Sequence, residues 1–217
     1  MGETKLLVRR DGIVIKIEVN TVMRGVVNPT QTKSLSEAAS NALMADVELA
    51  LVSPEDVYGG KLVAAMDRQH PRDLFDVMQL FEHEGITAGI RRAFVVYLAS
   101  HNRPFHEVLF STPLDVRLEF ERTFVGMTSE PIALDTLLET RARLQRELPA
   151  ALDKEEREFL RTLARAEPDW SLLDIPHLEE LPAVRWKLQN LQHLASSNKN
   201  KFNEMVSALE DRLQQLP

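Results

Sequence analysis

Prolines set the frame for the second half of this chain. Pro104, Pro113, Pro131, Pro168 and Pro176 fall between stretches whose apolar residues recur at helical spacing, 87–100, 114–125, 133–148, 154–166 and 178–213, and Pro182 breaks the start of the last. Proline has no N–H and clashes with the preceding turn, so it separates helices. Apolar residues three and four apart give each stretch one face to bury. Segments of this kind cover one another as a helical bundle. The polar run Ser196-Ser-Asn-Lys-Asn-Lys201 either interrupts the last helix or forms a turn. No internal repeat is present.

The first half has a different texture. Thr4–Arg10 and Ile13–Asn20 flank Asp11-Gly12. Asp-Gly between β-prone runs predicts a hairpin, because a type I′ turn needs positive φ at both central residues. Ile13, Ile15, Ile17 and Val19 share one face, expected to be core, and Val14, Lys16 and Glu18 share the other. Residues 23–32, with Gly25 and Asn28-Pro29, read as a loop. Leu35–Leu43 reads as a short helix capped by Ser34. Asp46–Val52 alternates like a strand. Ser53-Pro54-Glu-Asp then opens a helix, with serine as cap and proline in the first turn. That helix runs to about Arg68, Pro71 breaks it, and Arg72–Phe81 starts another. The expected class is α+β: an incomplete small sheet with helices over 1–85, then a helical bundle over 86–217.

The 217 residues suffice for a core without staples, and there is no cysteine. That removes disulfides, thiol nucleophiles and Cys-based zinc sites. The opening residues do not form a signal peptide, Leu6 argues against myristoylation, and no apolar run approaches the roughly 20 residues that span a bilayer. A cytoplasmic protein without a membrane partner is expected. A net charge of −7 disfavours bulk duplex binding but leaves room for a local basic pocket. The histidines lack metal-ligand spacing, and neither a P-loop nor a Gly-x-Gly-x-x-Gly motif occurs. His70 either meets a base or phosphate or caps a helix. Trp170 and Trp186 are expected in core or inter-helix packing. The mixed charges of Arg141–Glu147 and Lys154–Glu158 are expected to face solvent.

Chemistry concentrates in Lys61-Leu-Val-Ala-Ala-Met-Asp-Arg68-Gln-His-Pro-Arg72-Asp73-Leu-Phe-Asp76. Lys61 and Arg68 lie about two turns apart on one helix face, with Leu62, Val63, Ala65 and Met66 on the buried side. Gly59 and Gly60 each cost a helix about 1 kcal/mol. Close approach of a ligand or of another backbone would explain them. Lysine supplies a point charge for phosphate, and arginine a fork. Asp73 and Asp76 share a face of the next helix. Capping and ion pairing with Arg68 or Arg72 explains them as well as function does.

This run resembles the AbiEii/AbiGii nucleotidyl transferase toxin family, where a lysine on one helix precedes an arginine and an Arg-Asp-x-x-Asp turn. The likeness spans roughly residues 4–110 closely and the helical remainder loosely. It implies NTP-dependent nucleotidyl transfer, with tRNA or another RNA as acceptor, by the toxin of a toxin–antitoxin or phage-defence (abortive infection) pair. It implies Lys61, Asp73 and Asp76 as catalytic residues and Lys61, Arg68 and Arg72 as the phosphate pocket. Glu18 would be a strand-borne acid for Mg2+. The bland alternative for Glu18 is an exposed strand residue paired with Lys16 or Arg10. The family pattern opens with a Gly-Ser or Gly-Gly turn and an Asp-x-Asp strand. No Asp-x-Asp occurs here. The resulting expectation is either a protein that starts upstream of Met1 or a truncated, inactive copy. The alternatives are a non-catalytic module binding nucleotide or antitoxin and a plain interaction protein. An open hairpin edge would favour a homodimer.

Overall fold

The computed structural model describes residues 5–18 and 25–217. β1 (Lys5–Arg10) and β2 (Ile13–Glu18) pair antiparallel, with Leu6 opposite Ile17 and Arg10 opposite Ile13. Asp11 and Gly12 take φ of 50° and 79°, as the Asp-Gly turn requires. β3 (Gln31–Ser34) and β4 (Glu48–Leu51) form a separate antiparallel pair, joined through α1 (Glu37–Leu43).

Two expectations are corrected here. Ser34 does not cap α1. It pairs with Glu48 in the sheet, and Ser36 caps instead, its hydroxyl accepting from the Ala39 N–H. The isoleucine face is not core either: Ile13, Ile15 and Ile17 are 67%, 57% and 46% exposed. Two strands alone offer each side chain only cross-strand neighbours, and burial needs a second layer. Val19 lies outside the described residues.

The rest is helical. α2 (Pro54–Asp67) and α3 (Pro71–Glu82) form a pair, followed by α4 (Ala88–Ala99), the short α5 (Phe105–Leu109) and α6 (Arg117–Thr123). Next come α7 (Leu134–Ala151), α8 (Lys154–Ala164), two single 3-10 turns at 170–172 and 178–180, α9 (Pro182–Ser197) and α10 (Lys199–Gln214). The prolines act largely as expected. Pro71 and Pro182 open α3 and α9, where a missing N–H costs nothing, and Pro104 sits at the cap of α5. Pro149 differs, lying inside the last turn of α7. Arg157 reaches back there and donates to the carbonyls of Ala150 and Leu152. The polar run near 198 interrupts the last helix: Asn198 alone separates α9 from α10, and its side chain caps α10 by accepting from the Lys201 N–H.

α2 packs on α4 across Gly59. A Cβ there would lie 2.8 Å from both the Ala93 Cβ and the Phe94 nitrogen, so the close approach is another backbone. Gly60 faces open space. Leu62, Val63, Ala65 and Met66 are buried, as the spacing predicts, and one apolar cluster runs from Val27 to Leu213.

The charged face of α8 departs from expectation. Glu156 is buried, accepts from Arg91 Nε at 2.6 Å and from the Asp153 N–H at 3.0 Å, and closes a capping box. Burial pushes its carboxyl above the usual range despite Arg91. Trp170 does pack, its ring 6.1 Å from that of Phe159. Trp186 does not, and remains 50% exposed.

Candidate functional site

The turn Arg68-Gln69-His70 sets the geometry between α2 and α3. Gln69 has φ of 53°, a left-handed value that lets the chain reverse. Its buried side chain donates to the Thr112 carbonyl and accepts from the Leu114 N–H and from Arg141. The turn is thereby tied to the segment after α5 and to α7. His70 caps α3, its Nδ1 accepting from the Arg72 N–H at 3.2 Å, so the capping alternative is the one realised. Nothing in local spacing marks Gln69, whose partners lie 43 to 72 residues away.

This turn brings four of the expected site residues together as two ion pairs. Lys61 Nζ lies 2.6 Å from Asp76 Oδ2, with both side chains partly exposed. Arg68 grips Asp73 with two bonds, Nε to Oδ2 at 2.6 Å and Nη2 to Oδ1 at 2.9 Å. That bidentate bond holds the Arg68 pKa above its ordinary value. The Asp73 side chain is only 4% exposed, whereas Arg68 is 65% exposed. Arg72 projects from the first turn of α3 and is exposed. The strip therefore presents cations outward and keeps one acid beneath them. Glu18 closes β2 opposite Lys5, and its side chain lies outside the described residues. Arg10 lies 3.5 Å from Asp11.

The donor set does not suit Mg2+, a hard cation that takes several free carboxylate or water oxygens. Both Asp73 oxygens are engaged by Arg68, and one Asp76 oxygen by Lys61. Among the described residues no three His, Asp or Glu side chains gather as a metal site.

A second acid on α2 is held by a full set of donors. Asp56, at the start of α2, accepts from the N–H groups of Val27 and Asn28, the Asn28 amide, Ser53 and the Tyr97 hydroxyl at 2.7 to 3.0 Å. Burial alone would raise its carboxyl, but these bonds together hold it below the usual range. Ser53-x-x-Asp56 is a capping spacing visible in sequence, while the tie to the 25–28 loop is not.

An α+β, helix-rich protein with a cation–acid strip at a helix–helix turn is the class these features define. The chain belongs to the family described as nucleotidyl transferase AbiEii toxin, type IV toxin–antitoxin system, whose model matches residues 3–190. It is thus a nucleotidyltransferase-like toxin-family protein. Comparison with curated proteins and with solved structures returns no match. Among the described residues no helix is long and apolar enough to cross a membrane.

Proposed function

We propose that the α2–α3 strip binds the triphosphate of an NTP for nucleotidyl transfer to an RNA such as tRNA, under control of a cognate antitoxin. Lys61, Arg68 and Arg72 are the phosphate ligands. Asp73 and Asp76 aim Arg68 and Lys61, and so serve the reaction through these cations. In the transfer, an acceptor hydroxyl forms a bond to the α-phosphorus and pyrophosphate leaves. The cations offset charge on the leaving group. The observation that carries this reading is the outward, acid-aimed pair of Lys61 and Arg68 beside exposed Arg72. No step is assigned to Mg2+ or to Glu18.

Titrating the chain with each NTP by calorimetry tests the strip. Binding should be lost in Lys61→Ala and weakened in Arg72→Ala, and retained affinity in Lys61→Ala would reject the assignment. A second reading, nucleotide binding without turnover, draws on the engaged Asp73 oxygens. Metal-dependent label transfer from NTP to RNA would decide for the enzyme.

The β1–β2 hairpin supports one more part of this reading. Its apolar side chains are exposed, and the edge of a two-stranded ribbon is a template on which another strand can pair. We propose that a second copy pairs along this edge. A monomer by light scattering at high concentration would count against it.

A further inference from the structure

A cavity of about 630 Å3 opens between α5, α9 and α10, away from the α2–α3 strip. Its size is that of small-molecule sites. The chemistry around it is unfinished in two places. Lys187 lies in its wall and is only 4% exposed. An ammonium has three N–H donors. Here one goes to the Arg103 carbonyl at 2.7 Å, and the charge sits 4.8 Å from the centre of the Phe105 ring. The acid that acts on this ammonium, Glu107, is ion-paired with Arg103 at 3.0 Å. Burying an ammonium is costly unless acceptors replace its water. Burial accordingly pushes the Lys187 pKa down to about 8.

His106 is the second place. It lines the same cavity, and its Nδ1 is buried with no hydrogen-bond partner. Buried polar atoms are nearly always satisfied, so an orphan calls for a missing partner. Lys187 on α9, with a single acceptor, and His106 on α5, with a buried nitrogen that has no partner, thus line one space. Trp186 stands on the cavity wall half-exposed, one residue before Lys187 and close to Leu191 and Leu194. An exposed indole beside apolar side chains suits a flat ring. The remaining charges narrow the choice. Glu204 offsets Lys201 and Glu107 is paired with Arg103, so Lys187 leaves one positive charge, which suits a monoanion better than a dianion such as phosphate.

We propose that this cavity binds a planar aromatic monocarboxylate, its ring against Trp186 and its carboxylate on Lys187 Nζ. The inference stands apart from the nucleotide reading, and neither depends on the other. The tryptophans are Trp170 and Trp186, so the indole N–H resonance of Trp186 is assigned from the Trp170→Phe chain. The full chain is titrated with indole-3-acetate and with its neutral isostere indole-3-acetamide. The acetate should shift the Trp186 resonance saturably, and the amide should bind at least about tenfold more weakly, as expected when a charge-assisted bond is lost. Lys187→Met should weaken the acetate by a similar factor. Ala208→Phe, which fills the cavity and leaves Lys187 intact, should abolish saturation. Equal binding of acetate and amide, no saturable shift, or unchanged binding in Ala208→Phe would overturn the proposal, even if Lys187→Met did not fold.

Discussion

Asp56 and Lys187 are both buried charges, and the structure treats them in opposite ways. Asp56 collects donors from the 25–28 loop, its own helix cap and Tyr97 on α4. Lys187 has one carbonyl and a ring face. The first arrangement is complete and pins three parts of the molecule together. The second lacks partners that a ligand would bring. Burial is therefore no guide to role until the donors and acceptors around a charge have been matched. The α2–α3 strip lies between these extremes, with a buried acid under exposed cations.

The largest expected effect is at Asp56. Asp56→Ala strands its donors and should cost about 3–5 kcal/mol in urea unfolding, the range for breaking a buried charged network. A loss under about 1 kcal/mol would mean water replaces the carboxylate readily. The wild-type contribution should also fade as pH falls below about 3.8, because the folded pKa lies below the unfolded one.

Lys187 comes next. Its pKa falls from 10.5 to about 8 on folding, so the unfolded chain binds more protons between those values. The burial penalty is fully present below pH 8 and is relieved as pH rises towards 10.5. Relative to Lys187→Met, the wild type should gain about 3 kcal/mol across that window, at 1.36 kcal/mol per unit. Glu107 acts on the same amine and opposes the shift, and it is present in both chains, so the difference between the two unfolding curves reports Lys187. A flat difference would show that the amine is well solvated.

Removing Arg68 leaves Asp73 buried without its fork. Arg68→Ala should cost about 2 kcal/mol by thermal unfolding, whereas Arg68→Lys should recover only part, since a point charge cannot grip both oxygens. The smallest effect belongs to Lys61→Ala. A half-exposed pair contributes under about 1 kcal/mol, so this variant should fold normally while losing nucleotide. A large stability loss there would make Lys61 structural.

The expected site was legible as a set of residues but not as an arrangement. Lys61, Arg68, Asp73 and Asp76 stand at spacings that bring them onto facing helices, and the structure pairs them. The ties made by Gln69 and Asp56 are not legible in sequence, because their partners come from distant segments. Glu156 was expected in solvent because alternating charge describes one helix alone, and Arg91 arrives from another helix 65 residues away.

By itself the sequence determined what nearest neighbours control: the Asp-Gly turn, the Ser53 cap, the start of α2 at Pro54, the break at Pro71, and the buried side of α2. These rest on φ restriction, missing N–H groups and three-to-four-residue spacing, all confined to a few consecutive residues. The tertiary structure alone decided which apolar face found cover. Ile13, Ile15 and Ile17 had a strand pattern as regular as any helix stripe and stayed exposed, because burial belongs to the layer that packs against a face. It alone also left Lys187 inside the protein with so few partners, since the acceptors around a buried charge come from whichever helices meet there.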